Sequence, residues 1–155
     1  MAYDVNSFVQ DFTLTGLANA TLALAGAIRV PTHKGVRFAV IEDIQVTPTT
    51  AVVNTTTPMQ IQVGTPTTTG KYAAQNVGTN AGLTVGSAYG IADVDGRVTL
   101  YNPSLTPSAT VNGRIDLAND GDVVGTTLTT LKVSTLVGVG TPAGTVTAQI
   151  TIRFW

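Results

Sequence analysis

Side chains able to do acid–base, metal or nucleophilic chemistry are scarce in this chain. Its 155 residues hold one His, nine Asp and Glu together, eight Lys and Arg, and no Cys. A catalytic zinc or iron site generally takes two or three nitrogen or sulfur ligands, and one imidazole with carboxylates falls short of that. The single imidazole, His33, lies in the run Pro31-Thr32-His33-Lys34-Gly35 and reads as a solvated turn residue. It is also the one available base for a Ser-His-Asp triad, and no Gly-x-Ser-x-Gly elbow supplies a nucleophile. Asp93-Val94-Asp95-Gly96 begins like a calcium loop, but an EF-hand needs its Gly at the sixth position and a Glu at the twelfth. Here Gly stands fourth, and the chain's one Glu is Glu42. This stretch and Asp120-Gly121-Asp122 read as turns capped by Asp side chains, with a weak calcium site as the alternative. A glycosidase needs two opposed carboxylates across a cleft, whereas these acids fall mostly in turns. Tyr72, Tyr89 and Tyr101 are expected to cover the ends of a core rather than stack on sugars. The expectation is no enzyme, no cofactor and no small-molecule substrate.

The bulk composition narrows the classes further. Charged residues make up 11% of the chain, against about 25% in an ordinary globular protein. Eight scattered bases against nine acids, net charge −1, supply no basic stripe for phosphates, so no nucleic acid is expected as a partner. The most apolar run, Leu17 to Val30, is broken by Asn19, Thr21, Gly26 and Arg29 and does not suit a bilayer span. Met1 to Val5 shows neither a basic nor an apolar signal region, and no membrane partner is expected. A surface of neutral Thr, Gly, Ser and Asn is cheap to desolvate. It fits a protein packed against other subunits better than a free monomer.

The elements are strands. Val146, Ala148, Ile150, Ile152 and Phe154 alternate with Thr147, Gln149, Thr151 and Arg153, which gives one apolar and one polar face. Thr21 to Val30 alternates with a shift at Gly26, which marks a bulge. Val36 to Thr47 alternates up to Glu42-Asp43, which suits a bend or an edge. These two runs read as a β-hairpin. Met59 to Val63 adds a strand, Lys71 to Gln75 adds a single turn or a short strand, and Arg97 to Tyr101, Thr110 to Leu117 and Val123 to Val139 add strands. The last turns through Gly140 to Gly144 into the final strand as a C-terminal hairpin. The expected fold is all-β, a jelly-roll-like β-sandwich of about eight antiparallel strands, with the long gap between the two hairpins filled by distant pairing. Residues 1–12 are expected as a short N-terminal arm and residues 13–155 as the single sandwich domain. Phe8 and Phe12, four apart, would share one side of a short helix or lie along an extended arm. Trp155 falls on the face opposite Phe154 and needs cover from a loop or a neighbour. Tyr3, Phe8, Phe12 and Trp155 are therefore the candidate interface residues.

Three stretches carry a family resemblance. These are Met59-Gln60-Ile61-Gln62-Val63-Gly64-Thr65 followed by Lys71-Tyr72-Ala73-Ala74, the Pro31–Gly35 turn entering Val36-Arg37-Phe38-Ala39-Val40, and the Gly/Pro turn before the closing alternating strand. Together they resemble the jelly-roll decoration, or cement, proteins of tailed-bacteriophage heads. The resemblance implies a structural role on the exterior of the virion as a homotrimer, with the major capsid protein as partner. On that reading the arm and the Thr/Pro loops at 47–58 and 64–70 reach the lattice, and many shallow contacts add through effective concentration. The runner-up is a receptor- or glycan-binding module of a phage fibre or baseplate.

Overall fold

The structure, a computed structural model, describes residues 7–18, 23–31, 35–53, 59–77, 85–86, 114–119, 125–136 and 143–155. They form eight strands: β1 (Phe8–Ala18), β2 (Ala23–Arg29), β3 (Phe38–Pro48), β4 (Met59–Gly64), β5 (Ala73–Val77), β6 (Arg114–Asp116), β7 (Thr130–Leu136) and β8 (Thr145–Phe154). The strands make two four-stranded sheets, ordered β1-β8-β3-β6 and β2-β7-β4-β5. Every pairing is antiparallel. Among these strands only β4 and β5 are both consecutive and hydrogen-bonded neighbours. At every other step the chain crosses between sheets, and early strands interleave with late ones. This is the jelly-roll form of an all-β sandwich.

Both hairpins expected from the sequence are replaced by crossovers. β2 pairs with β7 in the second sheet, while β3 pairs with β8 and β6 in the first. β7 and β8 likewise lie in different sheets. Alternation reports that a strand has one buried face, but strands on opposite walls of a sandwich bury that face against the same core. Alternation therefore does not say which strands are neighbours. The expected strand at Arg97 to Tyr101 lies outside the described residues.

The core is the set of inward rows. Ile28, Ile44, Met59, Ile61, Ile115, Leu131, Ile150, Ile152 and Phe154 are all fully buried. Three bulges shape the strands around it. The register slips between Leu24 and Gly26 in β2, between Ile41 and Asp43 in β3, and between Leu14 and Leu17 in β1. The first stands where Gly26 marks a bulge, and the second stands at Glu42-Asp43, where the sequence suits a bend or an edge. Gly26 also permits close approach of the sheets, since a Cβ there would stand 2.6 Å from Leu14 Cδ2.

The end of β3 is clasped to the start of β8 by hydroxyls. Thr49 Oγ1 donates to Thr145 O at 3.0 Å and lies 2.7 Å from Thr145 Oγ1. Thr145 N donates to Thr50 Oγ1 at 2.8 Å. Beside this clasp Gly144 has φ +110°, and a Cβ on it would overlap the backbone of Ala51 and Val52. Left-handed strain and overpacking of rigid backbone then coincide. Gly144→Ala is expected to destabilise the fold by about 2–4 kcal/mol, read as a lowered midpoint in urea unfolding. Ser134 presents the opposite case. Its hydroxyl is buried without a hydrogen-bond partner, so it contributes desolvation cost and no bond. Ser134→Ala is expected to leave stability unchanged or raise it by about 1 kcal/mol, measured in the same titration.

Candidate interaction surface

The outward side chains of the first sheet form cross-strand rows. Val9, Arg153 and Val40 stand in one row; Asp11, Thr151 and Asp43 in the next; then Thr13, Gln149 and Gln45; then Thr147 beside Thr47. β8 supplies the middle of each row because it lies between β1 and β3. The few charges are compensated locally. The bulge at Glu42 lets its carboxylate accept from Arg153 Nε. Asp11 Oδ1 accepts from Thr151 Oγ1 at 2.7 Å. The remaining two rows are Thr and Gln, polar but uncharged, while Asp43 adds an acid and Val9 and Val40 add two apolar side chains. An exposed ion pair such as Arg153 with Glu42 adds little stability. Its larger effect here is to cancel two charges on the face.

The aromatic candidates divide. Tyr3 lies outside the described residues. Phe8 and Phe12 do not sit on an arm or a helical turn: they belong to β1, opposite Phe154 and Ile150 of β8. Phe8 stacks on Phe154 with ring centroids 5.3 Å apart, and Phe12 meets it edge-on at 6.5 Å. A spacing of four satisfies a strand as well as a helix, because it is an even number of residues. Residues 8–12 are thus part of the sandwich, and the boundary expected at residue 13 moves back to Phe8; residues 1–6 lie outside the described residues. Trp155 is half-buried and held within its own sheet. Its carbonyl accepts from the N–H groups of Arg37 (2.8 Å) and Phe38 (2.9 Å), its N–H donates to Phe38 O at 3.0 Å, and its ring lies 6.1 Å from that of Phe38.

The loops expected to reach outward are only partly free. In the 64–70 loop Thr65 is buried, its Oγ1 accepts from Thr68 N at 3.1 Å, and Gly70 lies against the Gln62 side chain. Pro66 and Thr67 form its exposed tip. In the 47–58 loop Val53 bridges to Ala143, and residues 54–58 lie outside the described residues. Tyr72 is buried, as expected of a residue covering the core. His33, Asp93, Asp95, Tyr89, Tyr101, Asp120 and Asp122 lie outside the described residues. The burial of Gln62 and Ser134 on the outward side of the second sheet was not readable, since polar residues at alternating positions signal solvent. The first sheet therefore offers the more open face.

One shallow hollow of about 250 Å³ lies at the edge of the sandwich, lined by Val30, Pro31, Val36, Leu117, Leu128 and their neighbours. Among the described residues no three His, Cys, Asp or Glu side chains gather into a metal-binding group. β6 is fastened beside this hollow by Asp116. Burial would raise that carboxyl, but hydrogen bonds from the Asn119 side chain (2.9 Å) and Ala118 N (3.1 Å), with Arg37 beside them, outweigh it and hold the group below its ordinary value.

No family model and no curated protein matches the sequence. Among solved structures, a chain from the structure of infectious bursal disease virus Gx strain is similar at a TM-score of 0.29 and 10% identity. The match covers 97% of this chain and 36% of that one, so this chain spans about a third of its length. At that score the likeness bears on neither fold nor function.

The Asp116 carboxyl is more acidic folded than unfolded, so its contribution is complete above the unfolded value and is lost as pH falls through the folded one. Asp116→Asn is expected to be less stable than the parent at pH 7. The difference should close as the pH is taken below about 4, measured by thermal melts across the acid range.

Proposed function

We propose that this chain is a structural virion protein that decorates the phage head, binding the major capsid lattice from outside as a homotrimer. The observation that supports it best is the pair of uncharged rows on the outer face of the first sheet, Thr13, Gln45, Thr47, Thr147 and Gln149, with Glu42 paired to Arg153 and Asp11 bonded to Thr151 inside the chain. Burying unpaired charge costs far more than burying Thr and Gln that find partners, and the centres of protein interfaces are depleted in charge. A broad face of this kind suits lattice contact in which many weak contacts add. The resemblance in the Met59–Ala74 and Val36–Val40 stretches points the same way.

Two experiments test the proposal. Antibody to this chain, detected by immunogold on particles assembled from the genome that encodes it, is expected on the head exterior. Label on a fibre or baseplate would move the function to receptor or glycan binding, and unlabelled particles would remove the virion reading. In a co-sedimentation assay with undecorated heads, Thr147→Glu with Gln149→Glu is expected to weaken binding about tenfold or more, with an unchanged circular dichroism spectrum. Wild-type binding by that variant would show that another face meets the lattice.

A further inference from the structure

We propose that the edge of β1 turned away from β8, the outer edge of its sheet among the described residues, is a two-fold contact with a second copy of this chain, made by adding the two β1 strands antiparallel into one continuous sheet. β1 ends the strand order of the first sheet, paired by β8 on one side. It spans 11 residues, about 37 Å of extended chain. The other edge strands are shorter: three residues in β6, five in β5, and seven in β2 with a bulge. Proteins guard long edges with Lys, Pro, bulges or inward charge. Phe8 to Leu14 holds no Lys, Arg or Pro, and its register with β8 runs without a slip until Leu14. Val9 is 47% exposed, and Gln10 is exposed although it faces the core side of the sheet.

The occupant follows from the side chains. Opposed residues in an antiparallel pair share a face, so a two-fold axis must pass through a residue rather than between two. An axis at Asp11 would set two carboxylates directly opposite, which is unfavourable. An axis at Phe12 would draw the bulged Gly16 into the pairing. An axis at Gln10 sets Phe8 opposite Phe12 of the second copy, Val9 opposite its Asp11, and Gln10 opposite its own twin. Aromatic pairs and a carboxamide pair then extend the aromatic row already built on Phe154, and like charges stay apart. The edge is thus complementary to itself about Gln10. This goes beyond the virion reading, since it holds for the chain on or off a capsid, and a trimer formed through other surfaces leaves β1 free to join a neighbour.

The test combines light scattering with hydrogen–deuterium exchange, on the parent and on Gln10→Lys, which sets two ammonium groups face to face on the axis. The parent is expected at an even number of copies, about 32 kDa for the simple pair, and the variant at half the parent's mass. Of the amides from Val9 to Leu14, the alternate ones that point away from β8 are expected to exchange about tenfold faster on dilution or in the variant, while those bonded to β8, and the β8 amides, stay protected as the sign of an intact fold. Equal masses, or β1 exchange independent of concentration, would overturn the proposal. Should the variant fail to fold, the dilution series on the parent decides alone. Head labelling reports separately: lost label with concentration-dependent β1 protection removes the virion reading and keeps this one, and the reverse pattern does the opposite.

Discussion

The structure depends on β8 being paired along both sides. β1 lies against it from Phe154 to Thr145, and β3 lies against it from Phe154 to Val146. Its inward row, Val146, Ala148, Ile150, Ile152 and Phe154, is wholly buried. A strand in that position has its backbone groups paired along both edges and supplies part of one wall of the core. Phe154 extends this to the margin of the sheet, where Phe8 and Phe12 close on its ring. Aromatic pairs at these distances add about 0.5–1.5 kcal/mol each beyond their buried area. Since β1 and β8 lie far apart in sequence, the sheet must close a long loop before this pairing contributes, which is the usual cause of slow folding in sandwiches.

From that central strand the remaining features follow. β3 must stay in register with β8 although its sequence carries Glu42, and the bulge resolves the conflict by leaving Glu42 unpaired in the ladder and free to meet Arg153. The threonine clasp at Thr49, Thr50 and Thr145 sets where β8 begins, and Gly144 beside it fits only because it lacks a Cβ. The outer face is then fixed as the complement of the core row. Each inward Val, Ala or Ile from Val146 to Ile152 on β8 is followed by an outward Thr, Gln or Arg, so the packing that holds the sandwich together also determines which side chains the outer face carries.

Much of this was legible in the sequence. The alternation in β8, the glycine at the β2 bulge and the acidic pair at the β3 bulge each state a local rule that the fold obeys. The jelly-roll class followed from strand count and turn chemistry. Strand partners were less legible, because period-two alternation encodes a buried face and not a neighbour. The Phe8–Phe12 pair was ambiguous for a similar reason, since a spacing of four fits both periods; β8 decides it by offering Phe154 as a surface. The buried Gln62 was hidden, because the loop folding back at Gly70 lies against its side chain and strand alternation does not report such cover; the burial of Ser134 was hidden as well.

The edge of β1 and the outer face of the first sheet share one cause. A chain with few charges has little with which to guard an edge or to keep a face hydrated, so β1 carries one acid, Asp11, among uncharged neighbours, and the Thr and Gln rows of the face carry no charge. In a monomer that combination is a hazard, since an unguarded edge recruits any extended segment. In a protein whose copies are held in a fixed array the hazard becomes the means of assembly. On the proposed reading the edge would supply directional backbone bonds between copies, and the Thr and Gln rows would supply broad contact at low desolvation cost. What restricts the edge to the right partner is then geometry rather than charge. The even-numbered row Phe8, Gln10 and Phe12 reads the same in both directions about Gln10, and the bulge after Leu14 limits how far a misregistered strand could pair.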